Sequence, residues 1–236
     1  MSQKTVLITG ANRGLGAAFA KEAHDLGYRV VGTARDASTL KADQFDRPYA
    51  LDLSKKKSIA QVCSEILADG LEIDLLINNA GFNPKDRKDD PNYFQSTFKI
   101  EHFDASNVAE SLWINALAPV TLISRLLPNL TDDAVALNIS SWLGSIGGKT
   151  SGGHYGYAGS KALLNMFTRA VALEFSDTNK SAVALNPGWM RTDMGGSNAE
   201  RTPTEVAQAV FALWRGGKLS AANGKFLNTD GSIHPW

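Results

Sequence analysis

The 236-residue chain has one cysteine, Cys63, which excludes an intramolecular disulfide and a cysteine-built metal cluster. Cys63 lies in IAQVCSEIL, whose apolar spacing is helical, so it reads as a buried packing thiol. No stretch approaches the roughly 20 apolar residues needed to cross a bilayer. The start, MSQKTVLITG, has too short an apolar run for a secretory signal and no cleavage-site pattern, so a cytoplasmic location is expected. Charge of one sign is also missing. The 24 Lys+Arg and 24 Asp+Glu balance, which leaves no global field to attract nucleic acid or an anionic membrane. His24, His102 and His234 have no convergent partners in the pattern, so no metal site is expected. Repeats, low-complexity tracts and linker-like stretches are lacking, which predicts one domain over residues 1–236.

What the chain does contain is short β-branched runs alternating with longer helical patterns. TVLITG, YRVVGTAR, RPYALDL, IDLLINNAG, DAVALNISS, SAVALNPG and GKFLNTDG read as strands. GLGAAFAKEAHDLG, KKSIAQVCSEILADG, the segment Phe103 to Leu127, YAGSKALLNMFTRAVALEF and TPTEVAQAVFALWRG read as helices. Pro119 predicts a kink in the third of these, and Thr202 with Glu205 a capping box on the last. NPKDRKDDPNYFQ reads as a solvated insertion-like loop. Unbroken strand–helix alternation predicts an α/β fold: a doubly wound, mostly parallel sheet with helices on both faces.

TGANRGLG joins the first strand to the first helix. Gly10, Gly14 and Gly16 remove side chains where the chain must turn tightly, and would let a pyrophosphate approach the helix N-terminus. The spacing is G-x-x-x-G-x-G rather than the G-x-G-x-x-G of the common dinucleotide fingerprint. Selectivity is read at the tip of the second strand, placed at Ala34. Arg35 can fork onto a 2′-phosphate and Arg13 can reach it from the glycine turn, which favours NADP over NAD. Asp36 argues the other way, but it precedes ASTLKA and reads as a helix N-cap.

YGYAGSKAL holds two tyrosines and a lysine. Tyr157 and Lys161 are four residues apart and share a helix face, whereas Tyr155 and Lys161 do not. A lysine beside a phenol favours phenolate and lowers its pKa, as a general acid/base requires.

With TGANRGLG, LDL, NNAG, NISS, YAGSK and NPGWMRTDM standing in this order, the chain resembles the short-chain dehydrogenase/reductase family over nearly its whole length. TGANRGLG, PGWMRTDMGG and the short tail make it most similar to the small carbonyl-reductase and C-factor branch. The resemblance implies a single-domain Rossmann fold and hydride transfer between NADP(H) and a carbonyl or alcohol. It implies Tyr157 as the acid that protonates the carbonyl oxygen, Lys161 as the group that lowers its pKa and binds the nicotinamide ribose, and Ser141 as the hydroxyl that holds the substrate oxygen. Asn115 would bend its helix and hold a relay water. Implied cofactor residues are Gly10, Asn12, Arg13, Gly14, Leu15, Gly16, Arg35, Asp52, Leu53, Asn79, Ala80, Gly81, Pro187, Gly188 and Thr192, with Tyr157 and Lys161.

Ser141 and Tyr157 are sixteen residues apart, longer than the family's common thirteen. The glycine-rich LGSIGGKTSGGHYG between them predicts a mobile flap, and a shifted register would put Ser140 in the hydroxyl role. Trp142, Leu143, His154, Tyr155 and Trp189 are expected near the substrate; Trp142 and Trp189 read equally well as core. His154 is expected to be exposed and to titrate near neutrality. A dinucleotide-binding regulator without turnover is the alternative function, though it could lose the catalytic set that is complete here. Sugar-nucleotide epimerisation or dehydration is a third, disfavoured by the short segment after the last strand. Partners are expected to be a small carbonyl or alcohol, with a possible homodimer through the helices Phe103–Leu127 and Tyr157–Phe175.

Overall fold

Short apolar, β-branched runs can be buried on both sides only where helices cover both faces of a sheet, and that is how this chain uses them. The computed structural model describes residues 3–87 and 89–236. Its strands are β1 (Thr5–Thr9), β2 (Arg29–Ala34), β3 (Arg47–Ala50), β4 (Ile73–Asn78), β5 (Leu130–Ile139), β6 (Ser181–Asn186) and β7 (Phe226–Asn228). They form one all-parallel sheet in the order β3-β2-β1-β4-β5-β6-β7. The helices are α1 (Gly14–Asp25), α2 (Lys56–Ala68), α3 (Pro91–Phe98), α4 (Ala105–Leu112), α5 (Ala118–Leu126), α6 (Tyr155–Glu174), α7 (Pro203–Arg215) and α8 (Lys218–Ala221).

Two hydrophobic layers sandwich the sheet. On one face Phe19 of α1 and Phe211 of α7 pack over Val6, Ile8 and Val183. On the other Ile59 and Val62 of α2, Leu122 and Leu126 of α5 and Ala172 of α6 cover Leu7, Leu76 and Ala136. Cys63 belongs to this second layer, where burial pushes its thiol up to about 11, so it packs rather than reacts. The capping box of Thr202 and Glu205 opens α7 as the pattern predicted. Among the described residues no helix is long and apolar enough to cross a membrane.

Two expectations are corrected. NPKDRKDDPNYFQ is not simply a solvated loop. Asn83 caps a 3₁₀ turn over Pro84–Asp86, Asp90 caps α3, and Tyr93 is buried with its hydroxyl donating to Glu110 at 2.6 Å. The signal was present as two cap–proline pairs, Asn83-Pro84 and Asp90-Pro91, since proline suits the first helical position. The helix expected from Phe103 to Leu127 loses its regularity around Asn115, where the resemblance implied a bend, rather than at Pro119. A wide π turn over Trp113–Leu117 separates α4 from α5. Pro119 falls in the first turn of α5, where its missing N–H costs little.

The winding order reverses between β1 and β4: from β1 the chain proceeds through β2 and β3 to one edge of the sheet, and from β4 through β5 and β6 to the other. The crevice outside the C-terminal ends of the strands at this reversal is where open α/β sheets bind ligands.

Candidate active site

The crevice is built first by β1 and β4. Thr9, the last residue of β1, accepts hydrogen bonds on Oγ1 from the backbone N–H groups of Asn79 and Ala80, both at 3.0 Å. Asn79 returns its side-chain amide to the carbonyls of Thr9 and Gly10 at 2.9 and 3.2 Å. The glycine turn and the Asn79–Gly81 turn are thus one unit. Gly10 takes φ +65°, and a Cβ on Gly16 would lie 2.0 Å from the Gly10 carbonyl oxygen, so only glycine permits this packing. Asn12 and Arg13 are exposed in the turn, while Leu15 points into the core and can offer only its backbone. The N-terminus of α1 receives no side-chain cap and has no acid in its first turn. Its free N–H groups and positive dipole end suit an anion.

At the tip of β2, Arg35 is exposed, and Asp36 is the N-cap of the next turn, accepting from the Ser38 N–H at 2.9 Å and its hydroxyl at 2.7 Å. Asp36 is therefore already engaged, as the cap reading expected. Arg13 is exposed beside the glycine turn, and its guanidinium pairs with Asp193 at 2.9 Å, in the loop beyond β6. Asp52 is held below the usual carboxylate range: bonds from Ser54 and Lys55 outweigh the opposing effect of burial. Leu53 is buried, and its carbonyl accepts from the Trp113 indole at 2.7 Å.

The loop after β6 closes the other side. Asn186 Oδ1 accepts from the backbone N–H groups of Gly188 and Trp142, at 3.2 and 3.1 Å. Pro187 is buried, and Thr192 lies across from the glycine turn, its Cγ2 3.7 Å from where a Gly14 Cβ would stand. Residues 180 positions apart are thereby brought to one crevice.

Ser141, Tyr157 and Lys161 meet where β5 ends against α6. The Ser141 side chain stands close enough to Tyr157 to favour its ionised form. Lys161 is 4% exposed, donates to the Ile139 carbonyl at 2.8 Å and lies 5.8 Å from the Tyr157 ring centre. Desolvation brings its ammonium down to about 8. Tyr157 is pushed up to about 12 by desolvation, against the lowering effect of Ser141, with the Asp86 carboxylate raising it further. This reverses the expected sign. Without a strong lysine field on it, desolvation dominates and the phenol stays protonated at neutral pH.

Asn115 sits in the π turn, 1% exposed. Its side chain accepts from the Phe82 N–H at 2.7 Å and donates to the Phe82 carbonyl at 2.8 Å and the Ser160 hydroxyl at 2.9 Å. It ties the β4 turn to α6, one residue from Lys161. Gly81 fits between: a Cβ there would stand 3.5 Å from Asn115 Oδ1 and 3.7 Å from Lys161 Nζ.

The substrate-side expectations divide. Trp142 and Trp189 are 52% and 53% exposed, so neither fills core; they stand at the rim as apolar surfaces. Leu143 and His154 line a recess of about 240 Å³ whose walls include neither Ser141 nor Tyr157. His154 is half-buried rather than exposed, edge-on to Phe98 at 4.5 Å, and burial with the Lys85 and Lys149 charges lowers its pKa. Tyr155 meets Phe103 edge-on, away from Lys161. The expected flap is tethered: Gly147 N–H donates to the Trp236 carbonyl at 2.8 Å and His154 N–H to Phe98 at 3.1 Å. Ser140 is 2% exposed and donates its hydroxyl to Asn165 at 2.6 Å, which removes it from the substrate role.

Residues missed in the sequence are the asparagines that hold the site. Asn78, Asn138 and Thr168 form a buried chain at 2.8 and 2.9 Å that fastens α6 to the sheet. Asn186 and Asn165 grip the segment around Ser141. Their signal was an amide inside an otherwise apolar strand or helix, which requires a buried partner.

A doubly wound parallel sheet with an uncapped, glycine-cradled helix N-terminus at its switch point defines a Rossmann protein suited to a dinucleotide. Residues 4–203 match the short chain dehydrogenase family, and the chain belongs to it. It is 31% identical over 166 residues to C-signal of Myxococcus xanthus, covering 70% of this chain and 93% of that one. It superposes over the full length of both chains on a short-chain dehydrogenase/reductase from Burkholderia multivorans with bound NADP, at TM-score 0.84 and 30% identity. An NADPH-bound carbonyl reductase from chicken fatty liver superposes equally completely, at TM-score 0.81 and 27% identity. These likenesses lie in the carbonyl-reductase-like branch of this oxidoreductase family.

Proposed function

We propose that the protein is an NADP-dependent carbonyl reductase in which Tyr157 donates the proton, Ser141 orients the carbonyl oxygen, and Lys161 and Asn115 support them. The observation that carries this reading is the meeting of Ser141, Tyr157 and Lys161 at the C-terminal end of β5, in the crevice opened by the glycine turn.

The residues present fit a nicotinamide dinucleotide. The bare N-terminus of α1 and Gly10, Gly14 and Gly16 suit the pyrophosphate, with Asn12, Arg13 and the Leu15 backbone beside it. Arg35, exposed at the strand tip, suits a 2′-phosphate, and Asp52, Leu53, Asn79, Ala80 and Gly81 suit the adenosine. Pro187, Gly188 and Thr192 suit the nicotinamide. When bound, the cofactor supplies the hydride.

The protein's own part is acid and electrostatic. Reduction builds negative charge on the carbonyl oxygen, and two preorganised hydroxyl donors are placed to meet it. A phenol held at about 12 is protonated at neutral pH, the form a proton donor needs. The exposed Trp142 and Trp189 suit a flat or apolar carbonyl compound.

The test is loss of reduced-nicotinamide absorbance with a panel of aldehydes, ketones and diketones, NADPH beside NADH. Turnover selective for NADPH, lowered ~10²–10⁴-fold in Tyr157→Phe with NADPH binding unchanged, is expected. Turnover surviving the substitution refutes the role of Tyr157. NADPH binding without turnover on any carbonyl points to the non-catalytic regulator instead.

A further inference from the structure

We propose that Asn165 is a positioning residue that holds the Ser141 hydroxyl in register with Tyr157; the proposal rests on the reading of Ser141 and Tyr157 just given. Asn165 is four residues beyond Lys161 and eight beyond Tyr157 on α6, so all three lie along one helix face. It is 3% exposed. Its Oδ1 accepts from the Ser140 hydroxyl at 2.6 Å, and its Nδ2 donates to the Gly144 carbonyl at 3.2 Å. These two contacts bracket Ser141, one residue before it and three after.

Between them the segment folds on itself. Gly144 N–H donates to the Ser141 carbonyl at 2.8 Å, and Leu143 N–H to Ser141 Oγ at 3.2 Å. Lys161 adds a third grip from the same helix through Ile139. The approach is close: a Cβ on Gly144 would lie 2.9 Å from Lys161 Cβ and 3.1 Å from Asn165 Nδ2. Tyr157 is fixed by α6 itself, whereas Ser141 sits in the turn after β5 and is referred to α6 through these bonds. One helix therefore sets the separation of two hydroxyls that must both reach one oxygen. A buried amide in an apolar helix face is costly unless its bonds are made, and here both bonds go to the neighbours of Ser141.

A purely structural role for Asn165 predicts the same loss whether or not Ser141 has a hydroxyl. The experiment is a double-mutant cycle: wild type, Asn165→Ala, Ser141→Ala and the pair. For each, kcat, KM for an accepted carbonyl, NADPH affinity by fluorescence titration and melting temperature are measured. Asn165→Ala is expected to lower kcat about 10- to 100-fold, the effect of misplacing one donor, with NADPH affinity within about twofold. In the Ser141→Ala background it is expected to cost less than about threefold more, because there is no hydroxyl left to misplace. Equal losses in both backgrounds, or unchanged kcat in Asn165→Ala, overturn the proposal while leaving the active-site reading intact. Wild-type turnover in Ser141→Ala overturns that reading and this proposal with it. If Asn165→Ala does not fold, Ser140→Ala, which breaks one of the two bonds, is carried through the same cycle. A smaller loss that vanishes without the Ser141 hydroxyl supports the proposal, and a loss that persists overturns it.

Discussion

Lys161→Met should give a protein that is inactive and more stable than wild type. Lys161 is 4% exposed, has no carboxylate among its hydrogen-bond or ion-pair partners in the described residues, and bonds to the Ile139 carbonyl. Its pKa falls from 10.5 to about 8 through desolvation alone. At about 1.4 kcal/mol per tenfold change in proton affinity, this corresponds to about 3 kcal/mol. The sign follows from proton counting. Between pH 8 and 10.5 the unfolded chain binds the proton more tightly than the fold, so stability rises with pH across that window. Below pH 8 the full cost of holding the ammonium is present. Methionine keeps the stem and removes the charge, at a loss of about 1 kcal/mol for the bond to Ile139. A net gain of about 2 kcal/mol at pH 7 is expected, which is about 4–8 °C in Tm for a chain of this size. The gain should vanish near pH 10, where wild type no longer carries the charge. Urea unfolding at pH 7 and pH 10, with NADPH oxidation assayed in parallel, checks this. A variant less stable than wild type at pH 7, or a difference that is the same at both pH values, refutes the reasoning.

Arg35→Ala should weaken NADPH about tenfold and leave NADH within about twofold, because one exposed charge-assisted contact to a phosphate is removed; calorimetric titration of both cofactors checks it, and equal losses would return the selectivity to another residue. Gly16→Ala should cost about 3 kcal/mol or prevent folding, since its Cβ would lie 2.0 Å from the Gly10 carbonyl. Gly27→Ala is the control: at φ +77° with nothing within 4 Å, it should cost only about 1 kcal/mol of backbone strain. Equal melting temperatures for the two variants would contradict the packing argument.

The alternation of runs such as TVLIT and VVGTA with amphipathic stretches was enough to predict a parallel α/β sheet, because side-chain periodicity is a local property of the chain. The same holds for the caps at Asp36 and Thr202, whose partners lie two or three residues away. The pairing of Tyr157 with Lys161 on one face needed only the helical repeat. The kink read at Pro119 was misplaced for the opposite reason, although the family resemblance implied a bend at Asn115, where the π turn lies. Proline announces itself in sequence, but the Asn115 side chain in the π turn finds its partner in the backbone of Phe82, 33 residues earlier. Arg13 likewise finds Asp193 across 180 residues, a pairing no local pattern encodes.

What the sequence determined by itself, then, is the fold class, the order of the elements and the identity of the chemical groups. Each of these follows from residue type and short-range spacing. What only the tertiary structure decided is how those groups are held and charged. The sign of the Tyr157 shift, the loss of Ser140 to Asn165, the tethering of the 143–155 loop to Phe98 and Trp236, and the exposure of both rim tryptophans all depend on which distant groups exclude or replace water around them. Desolvation and buried hydrogen bonding are properties of the packed neighbourhood, and that neighbourhood exists only once β1, β4, β5 and α6 have come together.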